Sequence, residues 1–408
     1  MTALTLRNAR ILGGPDGLMD LAVIDGRIAK IGAGLTPAAE DVDLGGRLLT
    51  AGFIETHIHL DKSCILDRVR MRGGLDEAIA EVARVKGAFT EDDVAARAAR
   101  TLAKCVAKGA TRMRTHVEID PGIGLRGYRG VKRAAAAFAW AIDVEICVFP
   151  QEGLLNNPGT DALLIEALED GAQTLGGAPY TDSDPHGQID WVFETAKRYD
   201  VDIDMHLDFG ADPSGLDAEH VCRRADEYGW GGRVAIGHVT KFAYLDPERF
   251  DATARRLADA GVAVTVLPST DLFLMGRDHD CAVPRGVTPL HRMLGHGVTC
   301  SLSTNNVLNP FTPFGDCSLV RMANLYANIA QVGDRPGLAD CLSMVTERSA
   351  KLMNLDDYGV REGAPADLVA LDATDPALAV AELAQPLFGY KAGRRSFTHD
   401  AARLHPPA

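Results

Sequence analysis

The chain has 408 residues, 46% of them apolar and 24% charged, the balance of a soluble globular protein with room for one large barrel and a small accessory domain. Its formal net charge is −14 and no Lys/Arg run could track a phosphate backbone, which argues against nucleic acid and anionic membranes as partners. Eight cysteines without a CxxC pair, a start (MTALTLRNARILGG) lacking a long apolar segment, and no run able to span a bilayer fit a cytoplasmic protein with reduced thiols.

The first fifty residues read as short strands, Leu4–Leu12, Asp20–Ile24, Arg27–Ile31 and Arg47–Thr50, with a hairpin turn at Asp25-Gly26. The C-terminal stretch offers similar pieces, Asp367–Leu371 and Leu387–Tyr390. Neither end can bury a core alone, so the two are expected to pair into one small discontinuous β-sandwich domain, residues 1–50 with 355–408. Across residues 51–354 the rhythm becomes strand, loop, helix. The candidate buried strands are Gly52–His59, Thr111–Ile119, Val144–Pro150, Thr174–Gly177, Val201–Phe209, Val234–Thr240, Val262–Pro268 and Val298–Thr304. Helical stretches such as Leu75–Lys86, Glu91–Lys108 and Asp217–Tyr228 separate them. Eight strands alternating with helices predict a (β/α)8 TIM barrel in the α/β class. A doubly wound open sheet is the alternative, against which no GxGxxG follows the first strand. The closing His405-Pro406-Pro407-Ala408 reads as a disordered end.

In a barrel, side chains at the C-terminal ends of the strands face the active-site mouth. Strand 1 ends in Thr56-His57-Ile58-His59, and a period of two sends both imidazoles to one side, the spacing that one metal ion needs. Strand 2 ends at His116, strand 5 at His206 and strand 6 at His238. Each alone could be a satisfied core histidine. Four apolar strands ending in histidine are hard to explain by packing, and together they predict a metal centre. His186, His220, His279, His291, His296, His399 and His405 have polar neighbours in loops or helices, and of these His186 and His279 are the ones to expect along a substrate loop.

The runs GFIETHIHLDKS, THVEID, FPQEG, HLDF, GHVTK and STNNVLNPFTPFGD resemble the cytosine deaminase branch of the amidohydrolase superfamily, which includes enzymes acting on triazines and other nitrogen heterocycles. The resemblance implies metal ligands at His57, His59 and His206, a histidine at the hydrolytic water in His238, and a ring-edge amide in Gln151. That amide would donate and accept at once to a ring lactam. Dinuclear relatives carry a bridging lysine at the end of strand 4, where this chain has Gly176-Gly177-Ala178-Pro179-Tyr180, so one divalent ion (Zn2+, Fe2+ or Mn2+) is expected. Two positions depart from the pattern. The strand 8 aspartate is Asn305, leaving a weak fourth ligand in place of a base, and the glutamate three residues beyond the strand 5 histidine is Phe209. An amide is no general base and a phenyl ring carries no proton. Asp208 is the substitute shuttle on this reading, with a carboxylate that orients a histidine as its other reading.

The expected activity is metal-dependent hydrolysis of a C–N bond in a small cyclic amidine or amide, with deamination as the leading subtype. His238, Asp208 and Asn305 would form the catalytic set, and Gln151, Asp271 and Arg277 would fix the ring. Hydrolysis of another cyclic amide, a carbamate or an N-alkyl amine is the enzymatic alternative, and a metal-binding pseudoenzyme without its base is the other. A small heterocycle is the expected partner, and the chain is expected to form a homo-oligomer.

Overall fold

Eight apolar runs joined through helices form one parallel sheet in chain order: Phe53–Ile58, Ala110–Glu118, Asp143–Phe149, Thr174–Leu175, Asp202–Leu207, Val234–His238, Val262–Val266 and Cys300–Leu302, here barrel strands 1 to 8. The computed structural model describes residues 3–70, 73–400, 402, 404 and 405, so residues 406–408 of the expected disordered end lie outside the described residues. Strands 1, 6, 7 and 8 are buried at every position, because helices cover one face and the barrel interior the other. The result is a TIM-like barrel with helices between its strands.

The ring closes between strands 8 and 1 through hydroxyls more than through a regular ladder. The Thr56 hydroxyl lies 2.6 Å from that of Ser301 and 2.8 Å from that of Ser303. Ser303 Oγ also accepts the backbone N–H groups of Thr56 and His57. At the mouth the backbone takes over: Asn305 N–H donates to the His57 carbonyl at 3.0 Å, and His59 N–H donates to the Asn305 carbonyl at 2.9 Å. The last turn of the closure therefore runs through the candidate ligands themselves. Strand 4 is shorter than the expected Thr174–Gly177, although the Gly176 N–H still donates to the Val148 carbonyl and the Gly177 carbonyl accepts the His206 N–H, each at 2.8 Å.

The two chain ends meet in a separate, mostly antiparallel set of strands. Met19–Ile24 and Arg27–Gly32 form a hairpin over Asp25 (φ 49°) and Gly26 (φ 82°), the paired positive φ values that a tight two-residue hairpin turn requires. Ala3–Ile11 pairs with Met19–Ile24 and, after an irregularity around Asn8, continues along Leu48–Ala51. Leu48–Ala51 pairs antiparallel with Leu368–Leu371, which leads on to Pro386–Lys391 and Arg394–Thr398. Leu6, Leu21, Val23, Ile28, Leu49, Leu368 and Tyr390 fill the core of this unit. Glu40–Asp43, too polar to stand out as a strand, pairs in parallel with Ala3–Ile11. Among the described residues no helix is long and apolar enough to cross a membrane.

Candidate active site

Strands 1 and 5 bring three buried imidazoles to one point. His57 Nε2 and His59 Nε2 each lie 3.1 Å from His206 Nε2. His59 Nδ1 lies 3.2 Å from the His116 carbonyl oxygen, so its proton belongs there and Nε2 is left with a lone pair. His57 Nδ1 faces Asp204 Oδ1 at 3.8 Å. Burial, then the neighbouring His116, pushes the His57 pKa down to about 3, and burial holds His59 and His206 well below the usual imidazole value. Neutral rings with converging lone pairs repel one another unless a cation sits between them. Metal–nitrogen bonds of about 2.0–2.1 Å in a tetrahedral site put the nitrogens about 3.3 Å apart, close to the spacing here. Asn305 points the same way, for both its side-chain oxygen and nitrogen are buried without a hydrogen-bond partner, at a φ of 59° that asparagine tolerates. The donor set suits one divalent cation of the Zn2+, Fe2+ or Mn2+ type.

His238 ends strand 6 beside this cluster, and the ring nitrogens of His57, His206 and His238 all lie within 4.8 Å of one another. Its Nδ1 lies 2.6 Å from Asp271 Oδ1, while Asp271 Oδ2 accepts the Leu267 N–H at 3.1 Å. Burial pushes the Asp271 carboxyl above its usual value, and the contact with His238 opposes that shift. His116 stacks on His57 with ring centroids 3.7 Å apart, and its Nε2 lies 3.4 Å from Asp204 Oδ1. Asp204 in turn is neutralised by Arg114 at 3.0 Å, so strand 2 supports the cluster from behind.

A small inner cavity of about 10 Å³, room for roughly one water molecule, is lined by His59, His206 and His238 together with Lys62, Gln151, Tyr180 and Asn306. An outer cavity of about 480 Å³ holds Phe209, Tyr244, Arg277 and His279. Leu75 and Leu274 line both and stand between them.

The residues read from sequence separate into two groups. His57, His59, His206, His238 and Gln151 come together, with Asn305 on the closing strand. Asp271, expected to fix the ring, has both oxygens engaged inside the fold and holds His238. Asp208, expected as the proton shuttle, accepts the N–H groups of Asp217 (2.9 Å) and Ala218 (3.0 Å) and so caps the helix Ala218–Tyr228. Burial raises its pKa to about 6, and its nearest cation is Lys241 at 3.7 Å. Arg277 stacks on Phe273 at 4.4 Å and faces only the outer cavity. His279 lines that cavity too, whereas His186 stacks on His220 with centroids 4.2 Å apart.

Sequence reasoning missed Lys62 and Asn306, both buried on the inner cavity. A lysine that ends up almost fully buried needs partners, and Lys62 Nζ donates to Gln151 Oε1 at 2.8 Å and lies 3.4 Å from Glu118 Oε2. Glu118 also accepts from Lys86 Nζ, which contacts Asp120 and Glu152 as well. Burial favours the protonated Glu118, but the two lysines prevail and hold its pKa near 2. The three carboxylates Glu118, Asp120 and Glu152 thus surround an ammonium group already in place.

A model of the Amidohydrolase family matches residues 71–395 of the chain. N-isopropylammelide isopropyl amidohydrolase of Pseudomonas sp. (strain ADP) is 26% identical over 402 residues, covering 96% of each protein. Pterin deaminase of Rhizobium rhizogenes is 28% identical over 368 residues, covering 88% of this chain and 83% of that protein. The structure of 5-methylcytosine deaminase from Klebsiella pneumoniae, liganded with 5-fluorocytosine, superposes with a TM-score of 0.94 at 28% identity, covering 99% of this chain and all of that one.

Proposed function

The chain belongs to the amidohydrolase family, and we propose that it is a metal-dependent hydrolase that cleaves an exocyclic C–N bond of a small nitrogen heterocycle, with release of ammonia or an amine. The convergence of three neutral imidazoles at the barrel mouth, beside a histidine oriented by a buried carboxylate, is the observation that carries this reading. Relatives named for the hydrolysis or deamination of heterocycles support the substrate class.

His57, His59 and His206 would hold the cation, with the Asn305 amide oxygen available as a weak fourth ligand. When bound, a divalent cation supplies Lewis acidity that brings the pKa of a water from about 15.7 towards 7. Asp271 accepts the Nδ1 proton of His238 and fixes the tautomer in which Nε2 is bare. That nitrogen can take a proton from the attacking water and return it to the leaving nitrogen. Lys62, Gln151 and Asn306 orient the ring from the cavity wall, and Leu75 and Leu274 keep bulk water out. With His238 in place, the absence of an aspartate at position 305 does not leave the site without a base.

The eight cysteines are free and seven are buried, which supports a reducing, cytoplasmic setting. Assembly into a homo-oligomer belongs to the same proposal, with the half-exposed Trp140 and Phe314 as apolar surface to cover. The test of function is ammonia or amine release from a panel of aminopyrimidines, aminotriazines and pterins by metal-loaded and metal-stripped protein. Release that depends on the metal supports the reading. Silence of the loaded protein across the panel would overturn it in favour of a binding protein.

A further inference from the structure

An amide side chain can normally read a ring edge as donor and acceptor together, but here each cavity amide has one end tied down. Gln151 Oε1 accepts Lys62 Nζ at 2.8 Å, and only the carbonyl end of an amide can accept from an ammonium. The Gln151 NH2 group is left for the cavity and the neighbouring Tyr180 phenol. Asn306 is fixed by a relay. Asn309 Oδ1 accepts the backbone N–H groups of Phe311 (3.0 Å) and Thr312 (3.1 Å), which turns Asn309 Nδ2 towards Asn306. Asn309 Nδ2 then donates to Asn306 Oδ1 at 2.6 Å, so Asn306 too is left with its NH2 group. Lys62 adds N–H bonds and no acceptor. All three side chains are buried, with at most 3% of their surface exposed, and water cannot make good a mismatch.

We infer that the Lys62–Gln151 and Asn309–Asn306 bonds leave Lys62, Gln151 and Asn306 only N–H groups to present to the cavity, and that these select a heterocycle carrying two or more oxo oxygens over one rich in amino groups. The inference rests on the hydrolytic reading above for the identity of the site and adds the polarity of the ring it takes. An oxo oxygen at each of these N–H groups completes a hydrogen bond. An amino group in the same place sets N–H against N–H and costs about tenfold or more in affinity per exchanged group.

Three rings of one size test it: 2,4,6-triaminopyrimidine, 2,4-diamino-6-oxopyrimidine and 4-amino-2,6-dioxopyrimidine. Each keeps an amino group, and the oxo count rises from none to two. Equilibrium binding to metal-loaded full-length protein should tighten along the series by about tenfold or more per step. Asn306→Asp replaces the free donor by an acceptor and should shift the preference back towards the triamino ring by a similar factor, with metal content unchanged. Gln151→Glu tests the same exchange on the other side of the wall. A flat or reversed order, or no binding of any ring at millimolar concentration, overturns the inference. Ammonia release is followed in parallel: graded binding without release keeps the inference and removes the hydrolytic reading, whereas release with flat binding does the reverse.

Discussion

His238 Nδ1 lies 2.6 Å from Asp271 Oδ1, so the cavity-lining histidine outside the proposed ligand set is held by a buried carboxylate from the segment after strand 7. In Asp271→Asn the carbonyl stays with the Leu267 N–H, and the NH2 group turned to His238 Nδ1 favours the opposite tautomer. Activity should fall by about two to four orders of magnitude, the usual size for loss of general acid–base catalysis, with fold and metal content kept. His238→Asn should fall as far, and the double variant no further. If both single variants keep more than a tenth of the activity, the base lies elsewhere.

Elemental analysis after gentle purification should find close to one divalent ion per chain. Its removal should abolish activity and lower Tm, since an ion bound only by the folded state stabilises that state. His206→Ala should lose both the ion and the metal-dependent part of Tm. Two ions retained after dialysis would contradict the mononuclear centre.

At position 305 the expectation is a slower enzyme. Asn305→Asp adds a negative charge at a fully buried side chain, tightens metal binding and partly cancels the cation's charge. The hydrolytic water then ionises at higher pH, so the pH–rate profile should move upward and kcat at neutral pH should drop. A gain of several orders of magnitude would mean that Asn305 is an inactivating residue and that His238 is not the working base.

Glu118 links the cavity to acid stability. Its pKa is about 2 in the folded chain, where Lys62 and Lys86 outweigh burial, and about 4.3 in an unfolded one. A lowered folded value means stability that is complete above about pH 4.3 and is lost as pH falls towards 2. Urea midpoints measured from pH 6 to pH 2 should therefore fall less steeply for Glu118→Gln than for the parent chain. Parallel curves would show that the two lysines do not hold Glu118 ionised.

Leu274 lines both cavities and stands between them. The inner space of about 10 Å³ admits no heterocycle unless Leu75 or Leu274 moves. Leu274→Ala should cost about 2–3 kcal/mol of stability, as for other buried leucines. It should also raise kcat/KM for N-alkylated rings relative to unsubstituted ones, and an unchanged ratio would count against a door at this position.

Strand ends were the legible part of the chain. Histidines that close apolar runs marked His57, His59, His116, His206 and His238, because position on a barrel strand fixes where a side chain points. What acts through loops was not legible. Asp271 lies one turn into a short helix after strand 7, and nothing in its neighbours says that it turns back to His238. Asp208 shares the strand parity of His206, but its φ of 49° breaks the alternation and sends the carboxylate to a helix N-terminus. Lys62 and Asn306 were passed over because a lysine in a polar run reads as exposed. The strands Glu40–Asp43 and Arg394–Thr398 escaped notice for the same reason, since charged edge strands carry no apolar alternation.

The pairing of Leu48–Ala51 with Leu368–Leu371 sets an order of events during synthesis. The early strand must wait for a partner roughly three hundred residues downstream, which at about 5–20 residues per second takes on the order of 15 to 60 s. Through that interval the ribosome displays an unpaired, apolar strand edge while the barrel forms behind it. Nascent chains of this protein are thus most open to chaperone capture or mispairing at their oldest residues, and a stop codon near position 365 would strand the first fifty as surely as it removed the last forty.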